Sequence, residues 1–121
     1  MKSKNEKILL GHGSGGKLSH DLIDSIFAKH FDNAYLRQQS DSAILTNEGK
    51  NIAFTTDSFV VDPIFFPGGD IGKLAIAGTV NDLAVSGAVP RFISCGFIIE
   101  EGFSLHELEK IVINEINRIF I

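Results

Sequence analysis

The sequence predicts an α+β domain in which helices lie on one face of a mostly antiparallel sheet. The predicted elements follow the order β-α-β-β-α-β-α, and two short strands joined by a turn pair antiparallel. Residues 67–88 also carry the caps and the apolar content of a helix that is buried on nearly all sides. The whole chain of 121 residues is expected to form one domain with its own core.

The chain begins with a polar segment, a short strand over 7–10 and a glycine-rich run over 11–17. A helix is predicted from Ser19 to about His30, because apolar residues recur there at helical spacing. Two strands, over 42–45 and 52–58, then flank a turn formed by Asn47-Glu48-Gly49-Lys50. If this hairpin has the register set by that turn, Asp41 lies opposite Thr56 and beside Asp57.

The helix after Pro67-Gly68-Gly69 is predicted to begin at the N-cap Asp70 and to end just before Gly87. Its small residues form a stripe that also contains Asp82. A buried carboxylate without a partner costs several kcal/mol or becomes protonated. We therefore expect a cation or a set of N–H donors beside Asp82, and a neighbouring loop remains an alternative source of such donors.

The last part of the chain is predicted to be a strand over 91–99 and a final helix. Cys95 lies within that strand, where a small core position is expected. Ser104 and Glu107 form a capping box at the start of the helix, and its apolar stripe follows helical spacing: Leu105, Leu108, Val112, Ile116 and Ile119.

Composition and charge exclude several classes of function. The formal net charge is −4 and no basic cluster occurs, which argues against a nucleic-acid-binding surface. A single cysteine fits a reducing compartment, and no apolar run is long enough for a membrane span. We expect a cytoplasmic protein.

The helices are predicted to cover one face of the sheet and to leave its other face open. A second copy of the sheet is the expected cover for that open face.

Asp41, Asp57 and Asp82 are the candidate metal ligands. Three carboxylates that lie close together raise one another's pKa unless a cation neutralises them. Hard oxygen ligands of this kind suit Mg²⁺, which often shares its coordination shell with substrate phosphates. The alternative is that Asp41 and Asp57 are solvated residues at strand ends.

The glycine-rich run resembles two phosphate-binding motifs without satisfying either. Leu18 stands where a P-loop requires a hydroxyl, and no dinucleotide-binding βαβ unit follows. Backbone N–H groups around Gly15 and Gly16, near Lys17 and a helix start, nevertheless favour an anion such as phosphate. A mobile loop without a ligand is the alternative, and His12 is a further candidate for ligand contact.

Several motifs together resemble the N-terminal domain of the HypE family, the carbamoyl dehydratases of [NiFe]-hydrogenase maturation. This family belongs to the superfamily of aminoimidazole ribonucleotide synthetase and selenophosphate synthetase. The resemblance covers about Ile8 to Ile113 and rests on these segments: His12–Lys17, Phe54–Ser58, Phe65–Leu74, Gly78–Ala84 and Gly96–Gly102. The run Phe65-Phe66-Pro67-Gly68-Gly69-Asp70 indicates HypE rather than its relatives.

The resemblance implies a domain of the aminoimidazole ribonucleotide synthetase type that forms a homodimer through its sheet, with ATP between the subunits. Asp41, Asp57 and Asp82 match the acidic positions that hold Mg²⁺ on the triphosphate. Lys17 matches the phosphate-contacting lysine of the glycine-rich loop, which includes Gly15 and Gly16. The resemblance also implies that two neighbours of the acids, Thr56 and Asn81, contact either the nucleotide or the metal-binding carboxylates.

The resemblance further implies an ATP-dependent dehydration of an S-carbamoyl group to a thiocyanate on a C-terminal cysteine. The CN group then passes to the iron centre, with the carbamoyltransferase HypF and the HypC–HypD scaffold as partners. This sequence carries neither the C-terminal domain nor the terminal cysteine, so we expect a truncated form without catalytic residues of its own. Such a chain binds Mg-ATP at most.

Two alternatives remain open. The first is another ATP-using synthetase reaction of the same superfamily, such as thiamine-phosphate or selenophosphate chemistry. The second is a non-enzymatic dimerisation module that pairs with maturation partners and binds no nucleotide.

Overall fold

The computed structural model describes residues 1–39, 45–46, 48–49 and 51–119. Most of the first predicted hairpin strand and both ends of its turn therefore lie outside the described residues. The candidate metal ligand Asp41 and the register that places it opposite Thr56 lie outside them as well. The side chain of Ile119 in the predicted apolar stripe also lies outside the described part.

The first helix changes from α-helical to π-helical geometry halfway along its length. A 3₁₀ turn over Leu10–Gly13 precedes helix α1, Lys17–Leu22, which continues directly as a π-helical turn over Ile23–Ala28. The predicted helix over 19–30 is thus confirmed in extent, although its second half has the wider hydrogen-bond spacing of a π-helix. Ile26 in this turn is fully buried in the core.

The described sheet is small and antiparallel. Strands β1, Phe65–Phe66, and β2, Gly69–Asp70, pair with Phe65 opposite Asp70. The turn between them contains Gly68 at φ +90°, a conformation that the third residue of a type II turn requires. The predicted strand over 7–10 is reduced to an isolated bridge between Lys7 and Ser104.

Neither predicted strand, over 52–58 or over 91–99, forms a β-ladder with described residues, so the prediction over 91–99 is wrong for the described structure. The partner predicted for 52–58 is residues 42–45, which lie mostly outside the described residues, so that hairpin stays a prediction. Residues 51–61 and 89–99 make no backbone-to-backbone hydrogen bond with other described residues. Their β-branched and aromatic composition favours strands, but a strand needs a neighbouring backbone to pair with. The described part of the chain does not supply that neighbour.

Helix α2, Ile71–Val85, has the predicted ends. The Asp70 side chain accepts a hydrogen bond from the Lys73 N–H at 2.9 Å, as an N-cap residue does. Beyond the C-terminus, Gly87 has φ +73°, and the Ala88 N–H bonds back to the Leu83 carbonyl. The helix therefore ends in a Schellman motif, which favours glycine at this position.

The prediction that α2 is buried on nearly all sides is wrong. Only Gly72 and Ile76 are buried, and Val85 is 77% exposed. Helix α3, Leu105–Ile119, is the main described element packed against α2, so most of the apolar surface of α2 lacks a cover among the described residues.

The core lies between α3, the π-helical turn and the N-terminal segment. It contains Ile8, Ile26, Leu105, Leu108 and Val112. The backbone of Ile8 bonds with the Phe103 carbonyl and the Gly102 N–H, which fixes the N-terminal segment beside the start of α3. The N–H of Glu107 donates to the Ser104 side chain at 3.4 Å, so half of the predicted capping box is formed.

The helices and the small antiparallel sheet give the α+β class that the sequence predicts. Among the described helices, none is both long and apolar enough to cross a membrane.

Candidate functional site

The glycine-rich run is folded onto the first turn of α1 by a single side chain. The buried Ser19 hydroxyl donates to the His12 carbonyl at 2.7 Å and accepts from the Gly15 N–H at 2.9 Å. Gly15 has φ +76°, a conformation in which glycine is unstrained. The Gly15 amide is therefore used within the loop, whereas the sequence led us to expect it to face an anion.

The remaining candidate phosphate contacts lie beside this loop. Gly16 is the N-cap residue of α1, Lys17 is its first residue, and both are exposed. The His12 ring is occupied locally, since its Nδ1 lies 2.9 Å from the Leu9 backbone nitrogen, whose N–H it accepts. Sequence reasoning missed Ser19, although a serine four residues after a glycine at a helix start is a recognisable loop-closing arrangement.

A groove of about 120 Å³ lies between residues 53–57, residues 92–94 and the face of α2 that carries Thr79 and Leu83. Thr56 and Asp57 line this groove and are exposed. The Asp57 Oδ1 accepts a hydrogen bond from the Ser58 N–H at 2.7 Å, which fixes the direction of the carboxylate. This groove brings two of the predicted site residues against α2.

Asp82 lies on α2 near this groove, whereas Asn81 follows Thr79 by two residues and therefore projects from another side of the helix. Asp82 follows Thr79 by three residues, so both lie on the same side of the helix. Both Asn81 and Asp82 are exposed, and the prediction that Asp82 is a buried carboxylate is therefore wrong. The burial argument failed because it assumed that α2 is covered on every side.

The stripe of small residues on α2 accommodates a side chain. A Cβ added at Gly78 would lie 2.8 Å from the Phe59 ring. Phe59 thus packs directly on the helix backbone, one turn before Asp82.

The structure brings the predicted site together only in part. Among the described residues, no group of three or more His, Cys, Asp or Glu side chains has the arrangement of a metal site. Asp57 lies against α2, on which Asp82 stands, while Asp41 is outside the described part. No hydrogen bond or ion pair of the described residues links Lys17 to either acid.

A buried charged cluster that sequence reasoning missed holds three elements together. Glu109 of α3 is 1% exposed, and its Oε1 lies 3.0 Å from His30 Nε2 and 3.6 Å from Lys29 Nζ. Burial alone would raise the pKa of Glu109, but the hydrogen bonds from His30 and the Lys2 backbone, with the nearby positive charges, lower it to about 2. The cluster is structural and lies outside the groove.

Cys95 does not occupy the small core position expected for it, because the residue is exposed. Partial burial of its thiol and then the charge of Glu115 raise the pKa of Cys95 to about 11. The thiol therefore stays protonated near neutral pH and is a poor nucleophile.

Comparison with known proteins places these features in a family. The sequence profile of the "AIR synthase related protein, N-terminal domain" family matches residues 39–118. The chain belongs to this family. The predicted fold type and superfamily are thereby confirmed.

Curated relatives narrow the similarity to one branch of the AIR synthase related family. The chain is 54% identical over 110 residues to the carbamoyl dehydratase HypE of Escherichia coli K12, an alignment that covers 87% of this chain and 33% of that protein. It is 51% identical over 107 residues to HypE of Rhizobium leguminosarum bv. viciae, covering 88% and 31%. The chain thus spans about a third of the length of these relatives.

A solved structure agrees with this relationship. The crystal structure of the hydrogenase maturation protein HypE in complex with ATP matches with a TM-score of 0.86 and 53% sequence identity. The match covers 90% of this chain and 32% of that one. The predicted resemblance to the N-terminal domain of HypE is confirmed.

Proposed function

We propose that this chain is the nucleotide-binding part of a HypE-type carbamoyl dehydratase of the cytoplasm and that it binds ATP with Mg²⁺. The observation that carries the proposal is the match to HypE crystallised with ATP, at 53% identity over 90% of the chain. At this identity and coverage, a nucleotide site built from the aligned residues is the simplest expectation for both chains.

The groove beside α2 supplies the chemistry for one part of this site. Asp57 and Asp82 are exposed carboxylates, Thr56 adds a hydroxyl group beside Asp57 in the groove, and Asn81 precedes Asp82 on α2. Carboxylate oxygens are the ligands that Mg²⁺ prefers, and the ion keeps coordination positions for phosphate oxygens and water. We assign Asp57 and Asp82 to the metal, with Asp41 as the third ligand. A bound Mg²⁺ would neutralise charge on the triphosphate.

The glycine-rich run over 11–17 supplies the second part of the proposed nucleotide site, the phosphate contacts. Lys17 is exposed at the first position of α1, where its ammonium group adds positive charge for a phosphate. Gly16 leaves room for a phosphate to approach the backbone. Contact through the Gly15 amide requires the Ser19 hydroxyl to release it, so nucleotide binding is expected to rearrange this loop.

A second copy of the chain is the proposed cover for the exposed apolar segments. Residues 51–61 and 89–99 make no backbone hydrogen bonds with other described residues, and they expose Phe54 to 85% and Val60 to 95%. Extended segments with free backbone groups and apolar side chains are templates for strand pairing. A homodimer that pairs these segments would complete the sheet that the sequence predicts.

The full dehydration of an S-carbamoyl group to a thiocyanate is proposed for the complete HypE-type protein. Its substrate cysteine belongs to the C-terminal tail of that family. Cys95 does not replace it, because its thiol is held protonated. In this proposal the chain binds the ATP that drives the reaction. HypF supplies the carbamoyl group, and the HypC–HypD scaffold receives the CN group.

Isothermal titration with ATP and Mg²⁺ tests the nucleotide site. Asp57→Asn removes one proposed ligand and is expected to weaken Mg²⁺-dependent ATP binding at least about tenfold, which corresponds to roughly 1.4 kcal/mol. Asp32→Asn is the matched control, because Asp32 is exposed and, among the described residues, pairs only with Arg37 on the surface. The control should bind like the unmodified chain.

Other outcomes separate the alternatives. Equal heats for the unmodified chain and Asp57→Asn would remove Asp57 from the site. A chain that forms a dimer but whose melting temperature ignores ATP and Mg²⁺ would instead be a dimerisation module, because a ligand of the native state must stabilise it.

A further inference from the structure

A glycine allows a carboxylic acid to enter the contact between α2 and α3. A Cβ added at Gly72, in the first turn of α2, would lie 2.6 Å from the Glu115 Cγ and 3.0 Å from the Ile111 Cγ2. Glu115 can therefore lie directly on the backbone of α2, where the residue is only 3% exposed. Glutamate is rarely buried to this degree without a charged partner.

Glu115 has no such partner among the described residues. Its Oε2 is buried and accepts no hydrogen bond from the described residues, and no described Lys, Arg or His forms an ion pair with it. An isolated buried carboxylate of this kind is strongly disfavoured in its charged form.

The acid that faces Glu115 has both of its side-chain oxygens in hydrogen bonds. Asp70 is 1% exposed, and its Oδ1 accepts the Lys73 N–H while its Oδ2 accepts the Asn114 side-chain amide. Hydrogen bonds of this kind stabilise a carboxylate anion, as does the N-terminus of α2. A second negative charge beside Asp70 would be repelled, so Glu115 is the member of the pair that keeps a proton.

We propose that Glu115 is a protonated carboxyl group that holds α3 against the start of α2, and that loss of this proton loosens the contact between the two helices. The pair Asp70 and Glu115 is then a proton-dependent latch, in which Glu115 is the acid that can switch. This device does not depend on nucleotide binding.

The groups around Glu115 set the pH at which it loses its proton and the latch opens. Burial, and then the charge of Asp70, raise the pKa of Glu115 to about 7. Cys95 faces it from residues 89–99 as a neutral thiol, and the Lys73 ammonium group is bonded to the Gly68 carbonyl. None of these groups neutralises an ionised Glu115.

The sign of the pH effect follows from this raised pKa. Below the unfolded pKa of about 4.3, both states hold the proton and the latch contributes its full stability. As pH rises from there toward 7, the unfolded chain releases the proton while the folded chain retains it, so stability falls. Above about pH 7 both states are ionised and the loss is complete.

The test compares the 121-residue chain with Glu115→Gln, which keeps the shape of the side chain and cannot ionise. Urea unfolding at fixed protein concentration, in EDTA, is followed from pH 4.5 to 8.5. The folding equilibrium constant of the unmodified chain should fall by up to about tenfold per pH unit between pH 5 and 7, a decline that Glu115→Gln should lack. The two proteins should be equally stable at the acidic end.

Glu107→Gln is the matched control, since Glu107 lies on the same helix and is exposed. It should keep the pH dependence of the unmodified chain. The proposal is wrong if Glu115→Gln declines like the unmodified chain, or if it is much less stable at pH 4.5. Binding of Mg²⁺ to the unmodified chain but not to Glu115→Gln would overturn it in favour of a cation.

A direct titration keeps the proposal testable if Glu115→Gln does not fold. The ¹³C chemical shift of the Glu115 carboxyl carbon in the unmodified chain reports its protonation. A midpoint near 7 supports the latch, whereas a midpoint near the ordinary glutamate value of about 4.3 overturns it.

Discussion

At the scale of single residues, Glu109 shows how one buried charge can join distant parts of the chain. Its carboxylate contacts Lys29 and His30 after the π-helical turn, and the Lys2 backbone of the N-terminal segment. Breaking such a buried cluster leaves positive groups without their partner, which costs more than losing an exposed ion pair.

We therefore expect Glu109→Gln to lower the free energy of unfolding by about 1–3 kcal/mol at pH 7. The pKa of Glu109 is lowered to about 2, so its contribution is present above the unfolded pKa and is lost as pH falls toward 2. Urea unfolding at pH 7 and pH 3 should show the difference between the variant and the unmodified chain shrinking in acid. Equal stability of the two proteins at pH 7 would contradict this role.

Residue-level predictions succeeded where the deciding contact is local. Asp70 as N-cap and Gly87 after the helix end are determined by bonds that span three to five residues, and both were predictable. The contact between His30 and Glu109 joins residues 79 positions apart. No short-range pattern marks such a pair, so this cluster was missed.

At the scale of elements, the contact between α2 and α3 depends on the absence of a side chain at position 72. Gly72→Ala would place a methyl group 2.6 Å from the Glu115 Cγ and 3.0 Å from the Ile111 Cγ2. A helix interior ordinarily prefers alanine to glycine by about 1 kcal/mol. Here the overlap falls on side chains packed between two helices, and overpacking of this kind costs about 1–3 kcal/mol.

We expect Gly72→Ala to be net destabilising and to lower the melting temperature of the chain. Gly13→Ala is the control, because a Cβ at Gly13 meets no atom within 4 Å and should change the stability little. Thermal unfolding by circular dichroism measures both variants. If the Gly72→Ala chain is as stable as the unmodified one, the close contact between α2 and α3 at Gly72 does not contribute to stability and the prediction is wrong.

The elements themselves were predicted unevenly, for a physical reason. The three α-helices of the described residues carry their hydrogen bonds internally, so caps and apolar spacing sufficed to predict their existence. A strand takes its hydrogen bonds from another segment, and the composition of 52–58 and 91–99 does not reveal whether that segment is present. The burial of α2 and of Asp82 was misjudged in the same way, because both depend on what packs against the helix.

At the scale of the whole molecule, the exposed segments predict self-association. Ile98 is fully exposed within residues 89–99, where a second copy is proposed to pair. Ile98→Asp places a charge on that surface and should shift the chain from dimer to monomer, because a buried unpaired carboxylate is costly. Light scattering after size-exclusion chromatography measures the mass of each form.

Leu36→Asp is the matched control for this experiment, since Leu36 is also an exposed apolar residue but lies outside both segments. It should leave the mass unchanged. An unmodified chain that remains monomeric at micromolar concentration would refute the proposed dimer.

Sequence motifs predicted which residues belong to the candidate site, but not how those residues are arranged relative to one another. The motifs around Asp57 and Asp82 identified the family, and the groove does bring Asp57 against α2. The assignment of Lys17 and the glycine-rich run to the same site stays a prediction, because no described bond joins them to the acids. Sequence motifs report which residues a family uses, while the distances between them depend on long-range packing.

The contact between Phe59 and Gly78 has a consequence for how residues 51–61 meet any partner. This segment has no backbone bonds to other described residues, yet its phenylalanine ring rests on the centre of α2. A segment anchored at one point samples fewer conformations, so less conformational entropy remains to be lost when its amides and carbonyls pair with another segment. The glycine in the middle of α2 thereby preorganises a surface that it does not itself form.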